Sequence, residues 1–369
     1  MPPPRALQDP PRREESNPMR SLSLIPLLCL APLLGVAARA ADAWDEFRRE
    51  LIADRFSGVV LVARGDAILF EEGIGFANRA TSELITPDTA FRIGSLTKAI
   101  TAAAVTELAN DGRLDLHAPI RATWPEWPAG WADATADRLL LHTAGLPEYT
   151  NRADFPAGWM PAVSASLLFQ RLGSERAAVE ASAHPNYSNT HYVLLGALIE
   201  RVTGQSYADF VATRICTPAR MTRTQIWPEG QPRFRHAIGY EMTPDGDRPV
   251  EERAPGLLGA AGAFSATAKD LHRFVAWQAR HDPGLSAVKS GQPRYGWVKV
   301  QPEGRSGWAC IGQVRGFSGA VLVIPEEGIS VVVLSNLDQT PALPRALRAL
   351  EAAAGSRAGS GSKNAVSRP

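Results

Sequence analysis

Three Ser-x-x-Lys tetrads occur in the 369 residues: Ser95/Lys98, Ser286/Lys289 and Ser360/Lys363. On a helix this spacing suits nucleophilic catalysis, because residues i and i+3 share a face and the amine reaches the hydroxyl. An isolated tetrad is more often a serine N-cap followed by a lysine lying along the surface. Context separates the three. Ser360 falls in a Gly/Ser-rich tail, and Ser286 lies between Pro283-Gly284 and Gly291, where no long helix follows. Ser95 follows an extended piece, Phe91-Arg92-Ile93-Gly94, and precedes a largely apolar, Ala-rich run over residues 99–109. A helix apolar on all sides is buried, and Asn110-Asp111-Gly112 supplies its stop. A lysine in the first turn opposes the macrodipole, so another reason must put it there. Burial pushes its pKa down, toward accepting the serine proton near neutral pH. The free N–H groups of the helix start meanwhile offer positive potential to a developing oxyanion. The chain writes its positive charge as 34 arginines and only five lysines, and guanidinium groups stay protonated, so Lys98 is one of few amines able to act as a base.

A second pattern, Tyr-x-Asn, occurs as Tyr149-Thr150-Asn151 and as Tyr187-Ser188-Asn189. The latter ends a turn-forming stretch, His184-Pro185-Asn186, and leads into an amphipathic helix over residues 191–202. A phenol there suits proton relay between serine and leaving group, with Asn189 donating to a substrate carbonyl. The plain alternative is a loop tyrosine packed on the helix, with asparagine as its cap.

The elements that must position these groups begin with a hairpin, residues 57–63 and 67–76 around Gly65-Asp66. Residues 113–255 read as Pro-, Trp- and His-rich loops with helices near 164–171, 191–203 and 206–214. A helix near 268–280 precedes strands at 295–300, 306–312, 317–324 and 329–334, and residues 341–354 form a closing helix. Strands at both ends with helices between them imply one sheet built from N- and C-terminal parts, carrying a mainly helical lobe.

Four stretches together resemble the serine β-lactamase-like hydrolases, a family of class C β-lactamases, D,D-peptidases and related esterases. They are Phe91-Arg92-Ile93-Gly94-Ser95-Leu96-Thr97-Lys98, Leu140-Leu141-His142-Thr143-Ala144-Gly145-Leu146-Pro147, Pro185-Asn186-Tyr187-Ser188-Asn189 and Gly316-Phe317-Ser318-Gly319. The resemblance runs over residues 45–353. It implies an α/β fold of the β-lactamase/transpeptidase type: an antiparallel sheet flanked by helices, a helical lobe and a cleft between them. It implies Ser95 as acylated nucleophile, Lys98 as its base or base partner, Tyr187 as general base and acid, and Asn189 as substrate and lysine contact. The family's third motif, Lys-Thr-Gly or His-x-Gly, falls on Cys310-Ile311-Gly312. Cysteine and isoleucine bind no carboxylate. Gly312 still lets a substrate backbone approach, and the Gln313 N–H is available to join that of Ser95 in an oxyanion hole. An esterase or amidase acting on a small neutral acyl substrate fits better than a β-lactamase or D,D-peptidase, for whose substrate carboxylate Arg315 is the available substitute cation. A binding pseudoenzyme and a Cys310 nucleophile are the competing readings. His142 is expected to be a hydrogen-bonded scaffold residue, as its family counterpart is. Trp124, Trp127 and Trp131 either wall the cleft or cover the core.

A net charge of +1 with 21% charged residues gives no single-signed field for a nucleic-acid backbone, and 45% hydrophobic residues suffice for a large core. Residues 19–41 read as a secretory signal peptide: Arg20, an apolar run interrupted by Pro26 and Pro32, and a small-x-small site near Ala40. Residues 1–40 are therefore expected to be an extension and signal peptide, 41–354 the hydrolase domain, and 355–369 a disordered tail. A periplasmic or secreted protein without a membrane anchor follows. The mature part keeps Cys216 and Cys310, allowing one disulfide. The scattered histidines form no metal motif, so no metal or cofactor is called for.

Overall fold

The computed structural model describes residues 43–178, 187–226, 234–251, 254–281 and 294–355. The signal peptide, the tail, the Ser286/Lys289 and Ser360/Lys363 tetrads and residues 184–186 lie outside them. The principal elements, in chain order and leaving aside two short two-stranded sheets, are helix α1 (residues 43–53), strands β1 (Gly58–Arg64), β2 (Ala67–Ile74) and β3 (Phe91–Arg92), and helices α2 (Thr97–Asn110), α3 (Ala136–Leu140), α4 (Ala165–Leu172), α5 (Asn189–Thr203) and α6 (Tyr207–Val211). Strands β4 (Gln225–Ile226) and β5 (Phe264–Ala266) follow, then helix α7 (Ala268–His281), strands β6 (Val298–Val300), β7 (Gly307–Val314), β8 (Phe317–Ile324) and β9 (Ile329–Ser335), and helix α8 (Ala342–Gly355).

The main sheet is antiparallel, in the order β6-β7-β8-β9-β1-β2, so the N-terminal hairpin docks on the C-terminal strands through the β1–β9 pairing, Gly58 opposite Ser335 to Arg64 opposite Ile329. Its central strands are apolar at nearly every position because both faces are covered. Alternate side chains of β1 divide accordingly: Val59, Leu61 and Ala63 enter the larger core, Val60 and Val62 the smaller. The smaller core is closed by Phe47 and Leu51 of α1 and by Ala346, Ala349, Leu350 and Ala353 of α8. The larger core runs past α7 into the helical lobe, where α2, α3, α4 and α6 pack around α5. Trp124, Trp127 and Trp131 pack around Phe169 in that lobe, so they cover the core and do not line the cavity at Ser95. Cys216 and Cys310 are both buried and free, and no disulfide joins them.

Differences from the sequence expectation have local causes. Helix α5 starts at Asn189 because Ser188 is its N-cap, its Oγ accepting the His191 N–H at 3.3 Å. Strand β6 is shorter than residues 295–300 because Gly296, at φ +78°, turns the backbone against Ala99 of α2, where a Cβ would lie 2.7 Å from the Ala99 Cα. The helix near 206–214 ends at Val211 and continues as a wider turn, Ala212–Cys216.

Ser95 lies on a tight turn, Gly94–Leu96, just ahead of α2. That turn is pressed against β7: a Cβ on Gly312 would sit 2.0 Å from the Ile93 carbonyl oxygen, and one on Gly94, at φ +52°, 2.8 Å from the Gln313 oxygen. Backbone on backbone leaves nothing to yield. Gly312→Ala is therefore expected to cost about 1–3 kcal/mol in urea unfolding. An unchanged midpoint with unchanged Ser95 reactivity would contradict this packing.

Candidate active site

Lys98 is only 3% exposed, and its amine meets three oxygens: Ser95 Oγ at 3.2 Å, Asn189 Oδ1 at 2.8 Å and the Ala261 carbonyl at 2.8 Å. Each acceptor arrives on a different segment. Ser95 comes one turn earlier on the same chain. Ala261 is held by α2 itself, because Thr101 Oγ1 donates to the Ala260 carbonyl at 2.7 Å and Thr97 Oγ1 accepts the Phe264 N–H at 3.2 Å. Asn189 is the first residue of α5, which approaches this segment closely at Gly196, where a Cβ would come within 2.5 Å of Ala260 Cβ.

Burial pushes the Lys98 pKa down to about 7, with the Glu148 carboxylate acting in the opposite direction. The neutral amine has two N–H groups and one lone pair. Asn189 Oδ1 and the Ala261 carbonyl can only accept, so both N–H groups are committed to them and the lone pair faces Ser95 Oγ. The geometry makes Lys98 able to take the Ser95 proton.

Tyr187 closes the other side. Its hydroxyl hydrogen-bonds Ser95 Oγ, and its ring lies with the centroid 4.6 Å from Lys98 Nζ. Much of the ring is open to the cleft, but the hydroxyl is enclosed, and desolvation there pushes its pKa up to about 12. It is a neutral phenol, not a phenolate waiting for a proton. His142, on the loop after α3, faces the Tyr187 ring at 4.9 Å and accepts the Ser188 N–H through Nδ1 at 3.1 Å. His191 accepts the Leu146 N–H through Nε2 at 3.3 Å. Burial lowers the two imidazoles to about 4 and about 3, so both are neutral acceptors that pin this loop to α5.

Ser95, Lys98, Tyr187 and Cys310 share the wall of one cavity of about 440 Å³, with Leu140, Leu141, His142, Thr143, Arg294, Gly296, Trp297, Val298, Ala309 and Ile311. Asn189 lies beneath this wall, and its Nδ2 donates to Thr150 Oγ1 at 3.3 Å, so in this state the amide holds the lysine rather than facing a substrate carbonyl. Gly312 and Gln313 act through backbone: Gln313 lies against the Gly94–Ser95 main chain, while its side chain turns away to the Asp338 carbonyl at 2.9 Å. Burial pushes the Cys310 thiol up to about 12, which leaves it a neutral, weak nucleophile. Arg315 pairs with Glu241 at 3.1 Å and lines no part of the cavity, so it is no substitute cation there. Arg294 occupies the wall instead, its guanidinium 5.7 Å from the Trp308 ring centroid. Sequence reasoning missed Arg294 and Trp297, which join the Ser95 cavity only on folding, and Glu148, whose link to Lys98 also arises only there. Among the described residues no cluster could hold a metal ion.

The family model described as Beta-lactamase matches residues 44–356. The chain belongs to the beta-lactamase family of serine hydrolases. Within it, the chain is similar to Protein flp of Staphylococcus aureus, 26% identical over 305 residues that cover 76% of this chain and 59% of that protein. It thus spans well under two thirds of that relative's length. Its fold is similar to that of an octameric penicillin-binding protein homologue from Pyrococcus abyssi, with TM-score 0.73 and 24% identity over 85% of this chain and 77% of that one. A D-amino acid amidase from Ochrobactrum anthropi SV3 gives TM-score 0.71 and 23% identity over 86% and 99%.

If Lys98 must be neutral to accept the proton, the rate at which a fluorophosphonate labels Ser95 should rise with pH through about 7 and then level off. A rate constant from pH 5 to 9 would remove Lys98 as the base. Lys98→Arg, always protonated, should slow labelling at every pH by at least about 100-fold.

Proposed function

We propose that the chain is an exported serine hydrolase that forms an acyl-enzyme on Ser95, acting as an esterase or amidase on small, uncharged acyl substrates. The observation that carries this reading is the lone-pair direction of Lys98, with both N–H groups spent on Asn189 and Ala261. Ser95 Oγ attacks the acyl carbon and gives its proton to Lys98. The oxyanion is met by the backbone N–H groups of Ser95 and Gln313 at the start of α2, where the helix dipole also favours negative charge. Tyr187 donates its hydroxyl proton to the departing alcohol or amine and recovers one from Lys98. Water then attacks the acyl-enzyme by the same relay in reverse, releasing the acid and restoring Ser95.

The cavity supports the choice of substrate. Leu140, Leu141, Trp297, Val298 and Ile311 make its wall apolar, and Cys310 adds a neutral thiol where the family motif has a cation. Arg294 favours a second reading, a β-lactamase or D,D-peptidase that takes a substrate carboxylate at this arginine. Export rests on the signal-peptide pattern of residues 19–41.

Intact mass after fluorophosphonate treatment should show one adduct on the wild type and none on Ser95→Ala. Equal labelling of both would sink the proposal. An adduct with p-nitrophenyl esters that persists without turnover would instead make the chain a binding pseudoenzyme. Among p-nitrophenyl esters, cationic D-amino-acid amides and anionic nitrocefin, the uncharged esters should be turned over fastest. Faster nitrocefin hydrolysis that is lost in Arg294→Ala would establish the second reading. Cys310→Ala should keep most labelling, and its loss would revive the cysteine as nucleophile.

A further inference from the structure

Glu148 follows the His142–Pro147 loop and touches neither Ser95 nor the cavity wall. Its hydrogen bonds go to the segments that carry the site. Oε2 accepts the Ser188 hydroxyl at 2.6 Å and the Thr190 N–H at 3.1 Å, at the N-terminus of α5. Oε1 accepts both the N–H and the hydroxyl of Thr150, at 3.1 and 2.6 Å.

The second pair has a consequence for the lysine. A threonine hydroxyl has one proton. With that proton given to Glu148, Thr150 Oγ1 can only accept from Asn189, which must therefore present Nδ2 to Thr150 and Oδ1 to Lys98. An asparagine turned the other way would offer N–H to the Lys98 lone pair and pull it from Ser95.

We infer that Glu148 is a positioning residue: by fixing the Thr150 hydroxyl it sets the Asn189 amide, and through that amide it aims the Lys98 lone pair at Ser95. The inference rests on the reading of Lys98 as the base that deprotonates Ser95.

The carboxylate also acts through its charge. The titratable groups facing Lys98 are Glu148 from the loop, His142 from the same loop, Tyr187 and Tyr192 at the start of α5, and Cys310 from β7. Burial holds His142 neutral by lowering it to about 4, and holds Tyr187, Tyr192 and Cys310 neutral by raising them. Glu148 is the carboxylate of this set, and its charge favours the protonated lysine. Orientation and charge are separable. Above the acid limb Lys98 is neutral in every variant, so the plateau rate reports orientation, while the midpoint reports charge.

The test is the pH dependence of fluorophosphonate labelling per mole of labelled protein, for wild type, Glu148→Gln, Thr150→Val, Thr150→Ser and the Glu148→Gln/Thr150→Val double variant, with thermal unfolding of each. Glu148→Gln should lower the plateau by about tenfold or more and move the midpoint below about 7. Thr150→Val should lower the plateau similarly and leave the midpoint in place, and Thr150→Ser should restore it. The double variant should lose no more plateau rate than Glu148→Gln alone, because both changes break one chain. Plateaus within twofold of wild type, or losses that multiply, overturn the inference. So does a loss seen only in the amount of folded protein. A wild type that is not labelled at all overturns the acylation reading itself, which keeps the two failures distinct.

Discussion

An amine sealed inside a protein must either find acceptors for its protons or give one up, and the site is organised around that constraint at Lys98. Its charged form is costly in a core of alanines and aromatic rings, which brings its pKa to about 7. Its neutral form is well served, because two carbonyl-type oxygens take its two protons. Burial favours a neutral amine, and the acceptor geometry leaves its lone pair toward Ser95. Neither suffices alone: a buried lysine with different acceptors would be equally neutral and aimed elsewhere.

Several features of the fold can be traced to this arrangement. Thr97 and Thr101, fully buried polar residues of α2, dock the 259–264 segment so that the Ala261 carbonyl reaches the amine. Ser188 starts α5 at Asn189, which puts that side chain at the helix end nearest Lys98. Gly312 and Gly94 let β7 and the Ser95 turn meet backbone to backbone, bringing Gln313 beside Ser95. The surrounding titratable groups are kept neutral by burial: imidazoles by lowered pKa values, phenols and thiol by raised ones. In such surroundings the Glu148 carboxylate acts on the charge of the lysine, and its hydrogen bonds to Thr150 tie it to Asn189.

The neutrality extends to the substrate side. With Cys310 and Ile311 in the cavity wall, a carboxylate entering near Ser95 meets no cation from β7, and the guanidinium that does line the cavity, Arg294, comes from the chain ahead of β6. Electrostatics and shape therefore separate this cleft from one built around a cationic strand, although the backbone scaffold is shared with relatives of similar fold.

Local chemistry was legible in the sequence where it depends on neighbours in the chain. The Gly65-Asp66 hairpin, the buried helix after Ser95, the stop at Gly112 and the apolar strands near the C-terminus all follow from periodicity and turn residues, and the joint occurrence of Ser95, Lys98, Tyr187 and Asn189 in spaced motifs indicated the family. Helix α1 was readable in principle from Trp44, Phe47 and Leu51, three and four residues apart. What the sequence could not decide was which groups meet across the cleft. Arg315, near the third motif in sequence, turns to Glu241, whereas Arg294, further away, lines the cavity. Glu148 is linked to Lys98 by the hydrogen bonds of Thr150 and Asn189, 39 residues apart in the chain. Residue types and spacing determine which side chains are able to donate, accept or attack. The direction of a lone pair depends on partners that only the tertiary structure brings within hydrogen-bonding distance.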